Sequence, residues 1–267
     1  MVRQVSSITR TGSSEPFELQ VSRGQIPWHK LQFKFGSNSE VGATEETIWS
    51  EGGLYVYPES ATVMTVSSTS TADASAGTGA RTLELFGLDA NYNEISEVVT
   101  LNGQTAVNTV NSFLRINRGI VLTAGSGGKN AGIIRAGTGT VTSGVPANVF
   151  LSVNGDGDNQ SLMCLWTVPA GYTAFLVQTN VSTGNSSNTP ALLKTTIVAR
   201  PLGGVFNTKE RITLSDGNQI QSYNYPLVFT EKTDLEVRAE SSSGSVTFDC
   251  CASLEFIYIL NGTELDG

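Results

Sequence analysis

Few residues in this sequence combine the types and spacing that catalysis requires. His29 is the only histidine, so the common acid–base, nucleophile-activating and zinc-binding arrangements lack their central residue. Its neighbours Pro27, Trp28 and Lys30 indicate a packed or interfacial position. Because no set of residues supplies a nucleophile, a base and an orienting group, we predict that the protein is not an enzyme and has no catalytic residue and no cofactor.

Carboxylate pairs are the remaining catalytic option, since two Asp or Glu side chains suffice for glycoside hydrolysis. The sequence does not select one pair over another. The candidate pairs stand in polar or alternating stretches, where we expect solvated side chains. They are Glu45 with Glu46, Asp156 with Asp158, and Asp234 with Glu236.

The stretch NGDGDN at residues 154–159 places oxygen-bearing side chains at alternate positions, as calcium-binding loops do. Asn159 occupies the position of the sharp-turn glycine and Leu165 that of the bidentate acid, so the stretch does not match an EF-hand. We interpret it as a turn-rich linker, because Asp, Asn and Gly are ordinary turn residues, and we predict no metal site. Ion binding by Asp156 and Asp158 is the alternative.

The composition favours an all-β protein that does not bind nucleic acid. Charged residues make up 15% of the chain and hydrophobic residues 39%, so Ser, Thr, Asn, Gln and Gly must cover much of the surface. The formal net charge of -8 would repel a phosphate backbone. The first residues lack the apolar run of a signal peptide, and no stretch has the length of a membrane-spanning helix. We therefore expect neither secretory export nor membrane contact.

The three cysteines do not describe a secreted disulfide framework, because their number is odd and two of them are adjacent. We predict reduced thiols in or near a sheet core for Cys164, Cys250 and Cys251. Pairing of Cys164 with one of the other two is the alternative.

The pattern of apolar residues predicts two β domains behind an N-terminal arm. Residues 1–45 hold short apolar fragments without a helical period and are interpreted as an extended arm. From residue 46 to 148 the period is mostly two, with turn clusters at the spacing of sandwich strands. Residues 149–160 are interpreted as a linker, and residues 161–267 as a second, jelly-roll-like β-sandwich of seven or eight strands.

The predicted arm carries more large apolar side chains than a solvated tail would keep. We expect them to anchor the chain to neighbouring subunits, with packing of the arm on its own first domain as the alternative. These predicted partner-binding residues are Phe17, Leu19, Val21, Ile26, Trp28, Leu31, Phe33 and Phe35.

Several uncommon strings occur in an order that resembles a family of virion structural proteins from marine cyanophages and related tailed bacteriophages. None of the strings is a catalytic signature, so the resemblance implies virion membership rather than an activity. They are ELQVSRGQIP, FKFGSN, IWSEGGLYVYP, SSTSTADASAGTGARTLELFGLDANYNEISEVVTLNG, NSFLRINRGIVLTAGSGGKNAGII, LWTVPAGYTAFL and FTEKTDLEVRAES.

The resemblance implies a protein that assembles in the reducing cytoplasm of a bacterial host and resides in the virion. Our first hypothesis is an external capsid decoration protein that stabilises contacts with the major capsid protein. The others are a tail or portal-vertex adaptor and a tail module that binds a glycan of the host surface. Because virion sites are repeated and edge strands need cover, we expect a homo-oligomer, with a trimer as the leading candidate.

Overall fold

The computed structural model describes residues 7–8, 14–155, 157–185, 187 and 189–262. It is an all-β protein with one short helix, α1 (Phe17–Ser22), which confirms the predicted fold class at this level. The strands of the first half are β1 (Ser7–Ile8), β2 (Ser14–Glu15), β3 (His29–Val41), β4 (Glu46–Thr47), β5 (Thr62–Ser68), β6 (Ala80–Leu88), β7 (Glu94–Thr100), β8 (Val107–Phe113) and β9 (Arg115–Ala124). Those of the second half are β10 (Ile134–Thr142), β11 (Val145–Val153), β12 (Leu165–Thr167), β13 (Tyr172–Gly184), β14 (Leu193–Arg200), β15 (Asn207–Leu214), β16 (Gly217–Phe229), β17 (Asp234–Ser241) and β18 (Phe248–Leu260).

Four main antiparallel sheets pack in two pairs, each around one hydrophobic core. In the first pair, which we call the body, the order β16-β13-β18-β3 faces the order β12-β17-β14-β15, and β4 adds to β17. In the second pair, the inserted unit, β11-β10-β5-β8 faces β7-β6-β9. The two buried clusters follow this division, with Trp166 and Phe256 in one and Met64 and Leu85 in the other.

Strict alternation along the strands explains why these segments form half-buried strands. In β18, residues at every second position from Phe248 to Tyr258 are buried, while those between them are half-buried or exposed. In β17 almost every residue is buried. The body core covers one face of β17, and the other face lies against the inserted unit.

The second part of the predicted extended arm is a regular strand. Its residues His29–Val41 form β3, which pairs with β18 along nearly its full length, with Phe33 opposite Glu255. The arm therefore docks in cis, but on the last strand of the chain rather than on the first domain. The physical reason is that β3 completes the sheet of the body and removes the open edge of β18.

The segment predicted as a linker, residues 149–160, belongs to the inserted unit. Val145–Val153 is β11, and beyond it the amide of Val121 donates to the carbonyl of Asn159 at 2.8 Å. The stretch thus continues the sheet pairing instead of separating two sequential domains. Of Asp156 and Asp158, the pair named in the alternative of ion binding, Asp156 lies outside the described residues.

The inserted unit leaves and rejoins the body through two adjacent connections. The chain exits at Ile48 and returns at Cys164, and the Cys164 amide donates to the Ile48 carbonyl at 2.9 Å. Val237 of β17 bonds to both, through its carbonyl to Ile48 and through its amide to Cys164. A bridge between Trp49 and Met163 extends this short ladder. The insertion therefore falls between β4 and β12 of the body.

Candidate functional site

The predicted partner-binding residues lie together at one end and along one edge of the body. Three of them alternate on β3 and point away from the core, namely Leu31, Phe33 and Phe35. Phe33 is 52% exposed, while Phe35 is half-buried and its ring lies 5.6 Å from that of Phe33. Trp28, immediately before the strand, is exposed and has a positive φ of 62°.

The other predicted residues belong to or follow α1, which packs over one end of the same sheet. Val21 is buried, and Ile26 is half-buried. The Phe17 ring stands edge-on to the His29 ring at 5.7 Å, so His29 has the packed position that its neighbours predicted. Leu19 is 45% exposed. The helix thus covers part of the sheet and leaves the Phe33 end open.

Pairing between strands extends this surface across the whole sheet. Residues paired in an antiparallel sheet share a face. Leu31 pairs with Ile257, which pairs with Phe175, which in turn pairs with Val228. We call this surface the outer face. Among the outward-pointing residues placed by these pairings, the charged ones are Glu255 and, toward one end of the sheet, Asp249, although the whole chain carries -8.

A second notable region is the junction where the inserted unit covers β17. Asp234 accepts hydrogen bonds from Arg115 Nε at 2.8 Å, Arg200 Nη2 at 2.6 Å and Thr167 Oγ1 at 2.6 Å. Arg115 comes from the inserted unit, and the other three residues belong to the body. The Arg115 side chain is 8% exposed and the Asp234 side chain only 4%. One buried carboxylate therefore joins the two units.

The prediction that Asp234 and Glu236 are solvated surface residues is wrong. Glu236 is fully buried, accepts a hydrogen bond from Thr47 Oγ1 at 3.0 Å and pairs with Arg238. Burial raises the pKa of Glu236, and the nearby Arg238 opposes that rise. The signal present in the sequence was the alternation DLEVRAES, in which charged side chains recur on one face of an apolar strand.

An open cleft of about 830 Å³ lies over this junction, between the two units. The Arg200 guanidinium lies 4.8 Å from the Tyr57 ring and 4.6 Å from the Phe206 ring, and these two rings are 5.8 Å apart. Arg115 lies 5.0 Å from the Tyr57 ring and 5.5 Å from the Tyr92 ring. Sequence reasoning did not identify this cleft, because its residues come from four separate segments.

A buried lysine lies in a second cavity between the two units. Lys34 points inward from β3, is 4% exposed and donates a hydrogen bond to the carbonyl of Asn117. The cavity, about 330 Å³, is also lined by Trp166, Glu94 and Arg118. Burial lowers the pKa of Lys34 to about 7, and Arg118 lowers it further while Cys164 opposes the change.

This lowered pKa predicts that the protein becomes more stable as the pH rises above 7. Between pH 7 and the ordinary lysine pKa of 10.5, Lys34 binds a proton more often in the unfolded chain than in the folded one. The free energy of unfolding therefore increases with pH in this range. The contribution of Lys34 is on the order of 4 kcal/mol over the whole interval, and the raised pKa values of Cys164 and Cys250 oppose it as the pH passes the ordinary cysteine value of 9.0. We expect urea midpoints of the native protein to increase from pH 6.5 to 9.

Lys34→Met should stabilise the protein at pH 7 by roughly 2 kcal/mol, because it removes a buried ammonium that lacks an acidic partner. It should also remove most of the increase with pH. The matched control is Lys209→Met, which alters an exposed lysine of β15. If the stability of the native protein and that of Lys34→Met increased equally with pH, the lowered pKa of Lys34 would be contradicted.

The three cysteines do not form a reactive site. Cys164 and Cys250 are buried and Cys251 is exposed, and all three are free, as predicted. Burial raises the pKa of Cys164, and it raises that of Cys250 to about 12, so neither is a reactive thiolate at neutral pH.

No group of three or more His, Cys, Asp or Glu residues suited to a metal occurs among the described residues. No helix within the described ranges is long and apolar enough to cross a membrane.

Comparison with known proteins gives only weak structural matches. No family model matches the chain, and no curated protein matches its sequence. Among solved structures, that of the infectious bursal disease virus VP2 subviral particle aligns with TM-score 0.27 and 12% identity, over 89% of this chain and 74% of that one. The structure of the Gx strain of the same virus aligns with TM-score 0.24 and 11% identity, over 93% and 78%. Scores this low do not establish a shared fold, so neither match assigns a function.

Proposed function

We propose that the protein is a non-enzymatic structural component of a virion, built on a jelly-roll body. The observation that carries this proposal is the strand order of the body. If the eight strands of the body other than the two-residue β4 are numbered along the chain from β3 to β18, one sheet has the order 1-8-3-6 and the other 2-7-4-5. This is the order of an eight-stranded jelly roll of two Greek keys, an architecture that viral capsid proteins use repeatedly.

A fold alone does not determine function, so the proposal also depends on the surface. The outer face is apolar at Leu31, Phe33, Ile257 and Val228, and nearly free of charge. Such faces on a soluble chain mark interaction sites. The resemblance of the sequence to cyanophage virion proteins gives further support and favours an external capsid decoration protein that binds the major capsid protein, assembled in the host cytoplasm.

The occupant that we propose for the outer face is a second copy of this chain. Two copies that each carry -8 repel one another over most of their surfaces. The outer face has two acidic residues, Asp249 toward one end and Glu255, whose carboxylate accepts a hydrogen bond from Gln178 at 3.0 Å. Association through this face therefore brings few like charges together and buries exposed apolar side chains such as Phe33 and Val228.

The test of the virion role is the copy number of the protein in purified particles, measured by quantitative mass spectrometry against the major capsid protein. Decoration predicts a copy number close to that of the capsid subunit or a simple fraction of it. A few copies per particle would instead support the tail or portal-vertex adaptor. Absence from washed particles would overturn the proposal.

Phe33→Glu should prevent self-association at a small cost in subunit stability. The Phe33 ring is half exposed and outside the core, but it lies opposite Glu255, so we expect the like-charged pair to lower the free energy of unfolding by about 1 kcal/mol. Sedimentation velocity should show the oligomer of the native protein replaced by a monomer. Leu202→Glu, at an exposed loop residue away from the outer face, is the control and should leave the oligomer intact. A native protein that is monomeric in solution and on particles would contradict the prediction.

A further inference from the structure

Two cations from different units line the cavity that holds Lys34. Lys34 belongs to β3 of the body and Arg118 to β9 of the inserted unit. The Lys34 ammonium carries three N–H donors, and within the described residues it donates only to the main-chain carbonyl of Asn117. Arg118 Nη2 donates to the neutral Gln160 Oε1 at 2.8 Å. Neither cation therefore has a carboxylate partner in the part of the chain that the structure describes.

The one carboxylate among the described lining residues is already paired. Glu94 accepts a hydrogen bond from the Lys30 ammonium at 2.6 Å and another from the Tyr258 hydroxyl at 3.1 Å. Lys30 itself does not line the cavity. The lining thus has two cations against one carboxylate that Lys30 already neutralises. Buried charges are normally paired, so this excess of positive charge points to an anionic ligand.

The pKa of Lys34 agrees with this conclusion. Burial lowers it most, and Arg118 lowers it further because two cations repel. Cys164 opposes the change, but burial raises the pKa of this thiol and keeps it neutral near pH 8. An anion between the two cations would remove their repulsion and favour the protonated form of Lys34.

We propose that this cavity binds a free, doubly charged tetrahedral oxyanion, sulfate or phosphate, between Lys34 and Arg118. Two cations match two negative charges, and both side chains retain N–H donors beyond those used within the protein. Ser96 and Asn117 add neutral polar groups to the lining, and the volume of about 330 Å³ is sufficient for such an ion with water. Because the cations belong to different units, the ion would join the inserted unit to the body. The inference does not depend on the virion role.

The test is isothermal calorimetry of the full-length protein with sodium sulfate, in chloride buffer at pH 8 and constant ionic strength. Calorimetry is preferred to thermal shifts, because sulfate stabilises proteins in general. We expect saturable binding of a single sulfate per chain, and none of singly charged nitrate. Absence of saturable sulfate binding, or equal binding of nitrate, would overturn the proposal.

Proton uptake gives a second readout of the same site. Lys34, with a pKa of about 7, is mostly neutral at pH 8 in the free protein, and a bound dianion should protonate it. Sulfate itself does not titrate in this range. The apparent binding enthalpy should therefore depend on the ionisation enthalpy of the buffer at pH 8, and much less at pH 6, where Lys34 is already protonated. Binding without proton uptake at pH 8 would place the ion away from Lys34.

Two variants locate the site. Lys34→Met and Arg118→Gln should each weaken sulfate binding at least about tenfold, because each removes one charged donor. Lys209→Met and Arg211→Gln make the same changes at exposed positions of β15 and should leave the affinity unchanged. Circular dichroism verifies that all four variants are folded. Unchanged affinity in Lys34→Met, or equal losses in the variants and their controls, would refute a site in this cavity.

Discussion

Asp234→Asn is expected to destabilise the protein by about 3 to 5 kcal/mol. The carboxylate accepts bonds from two arginines and a threonine, and it is 4% exposed. Removing one member of a buried ionic network leaves the remaining charges without compensation, which costs several kcal/mol. Here two guanidinium groups, Arg115 and Arg200, would lose their shared partner.

Guanidinium chloride unfolding monitored by tryptophan fluorescence measures this loss. Asp249→Asn is the matched control, because it makes the same change at an exposed position of β18 and should stay within about 0.5 kcal/mol of the native protein. A loss of less than about 1 kcal/mol in Asp234→Asn would show that the network does not stabilise the junction.

A triple substitution in the same network should restore stability. Arg115→Met, Arg200→Met and Asp234→Leu together replace all three charged residues with apolar ones of similar size, so no buried charge is left unpaired. Buried ion clusters replaced in this way often lose no stability. We therefore expect the triple variant to be more stable than Asp234→Asn alone. The comparison distinguishes the cost of an unpaired charge from the loss of packing.

The strands of the body were largely predictable from the sequence, because alternation of apolar residues is a local property. The pattern in β18, from Phe248 to Tyr258, identifies the core face without any knowledge of its neighbours. Strand β3 shows a similar local alternation, with Leu31, Phe33 and Phe35 on its outward side. Its partner, β18, lies more than 200 residues further along the chain, and local periodicity carries no information about such pairing.

The insertion was not predictable for a related reason. Turn residues near 154–159 suggested a boundary between consecutive domains, but turns occur equally within a unit. The true connections, at Ile48 and Cys164, lie in apolar stretches because they are buried between the two units. The burial of Asp234 and Glu236 follows from the same arrangement: the inserted unit covers their face of β17, and only the tertiary structure reveals this.

Gly36→Ala is expected to cost at least about 3 kcal/mol, although alanine is among the smallest possible changes. Gly36 lies in β3 directly under the two connections of the inserted unit. An added Cβ would lie 2.3 Å from the Cys164 nitrogen and 2.6 Å from the Ile48 oxygen. Both are backbone atoms, so no flexible side chain can move aside. The Cys164–Ile48 hydrogen bond and the neighbouring strand would have to shift together, which exceeds the usual cost of overpacking.

Gly244→Ala is the control for this substitution, because a Cβ at that exposed position meets no atom within 4 Å. It should express and unfold like the native protein. If Gly36→Ala is recovered in soluble form, urea unfolding gives the loss directly. Hydrogen exchange should then show faster exchange at the amides of Cys164 and Val237, which bond within this ladder. A Gly36→Ala variant as stable as Gly244→Ala would mean that the two connections tolerate displacement and do not fix the inserted unit on the body.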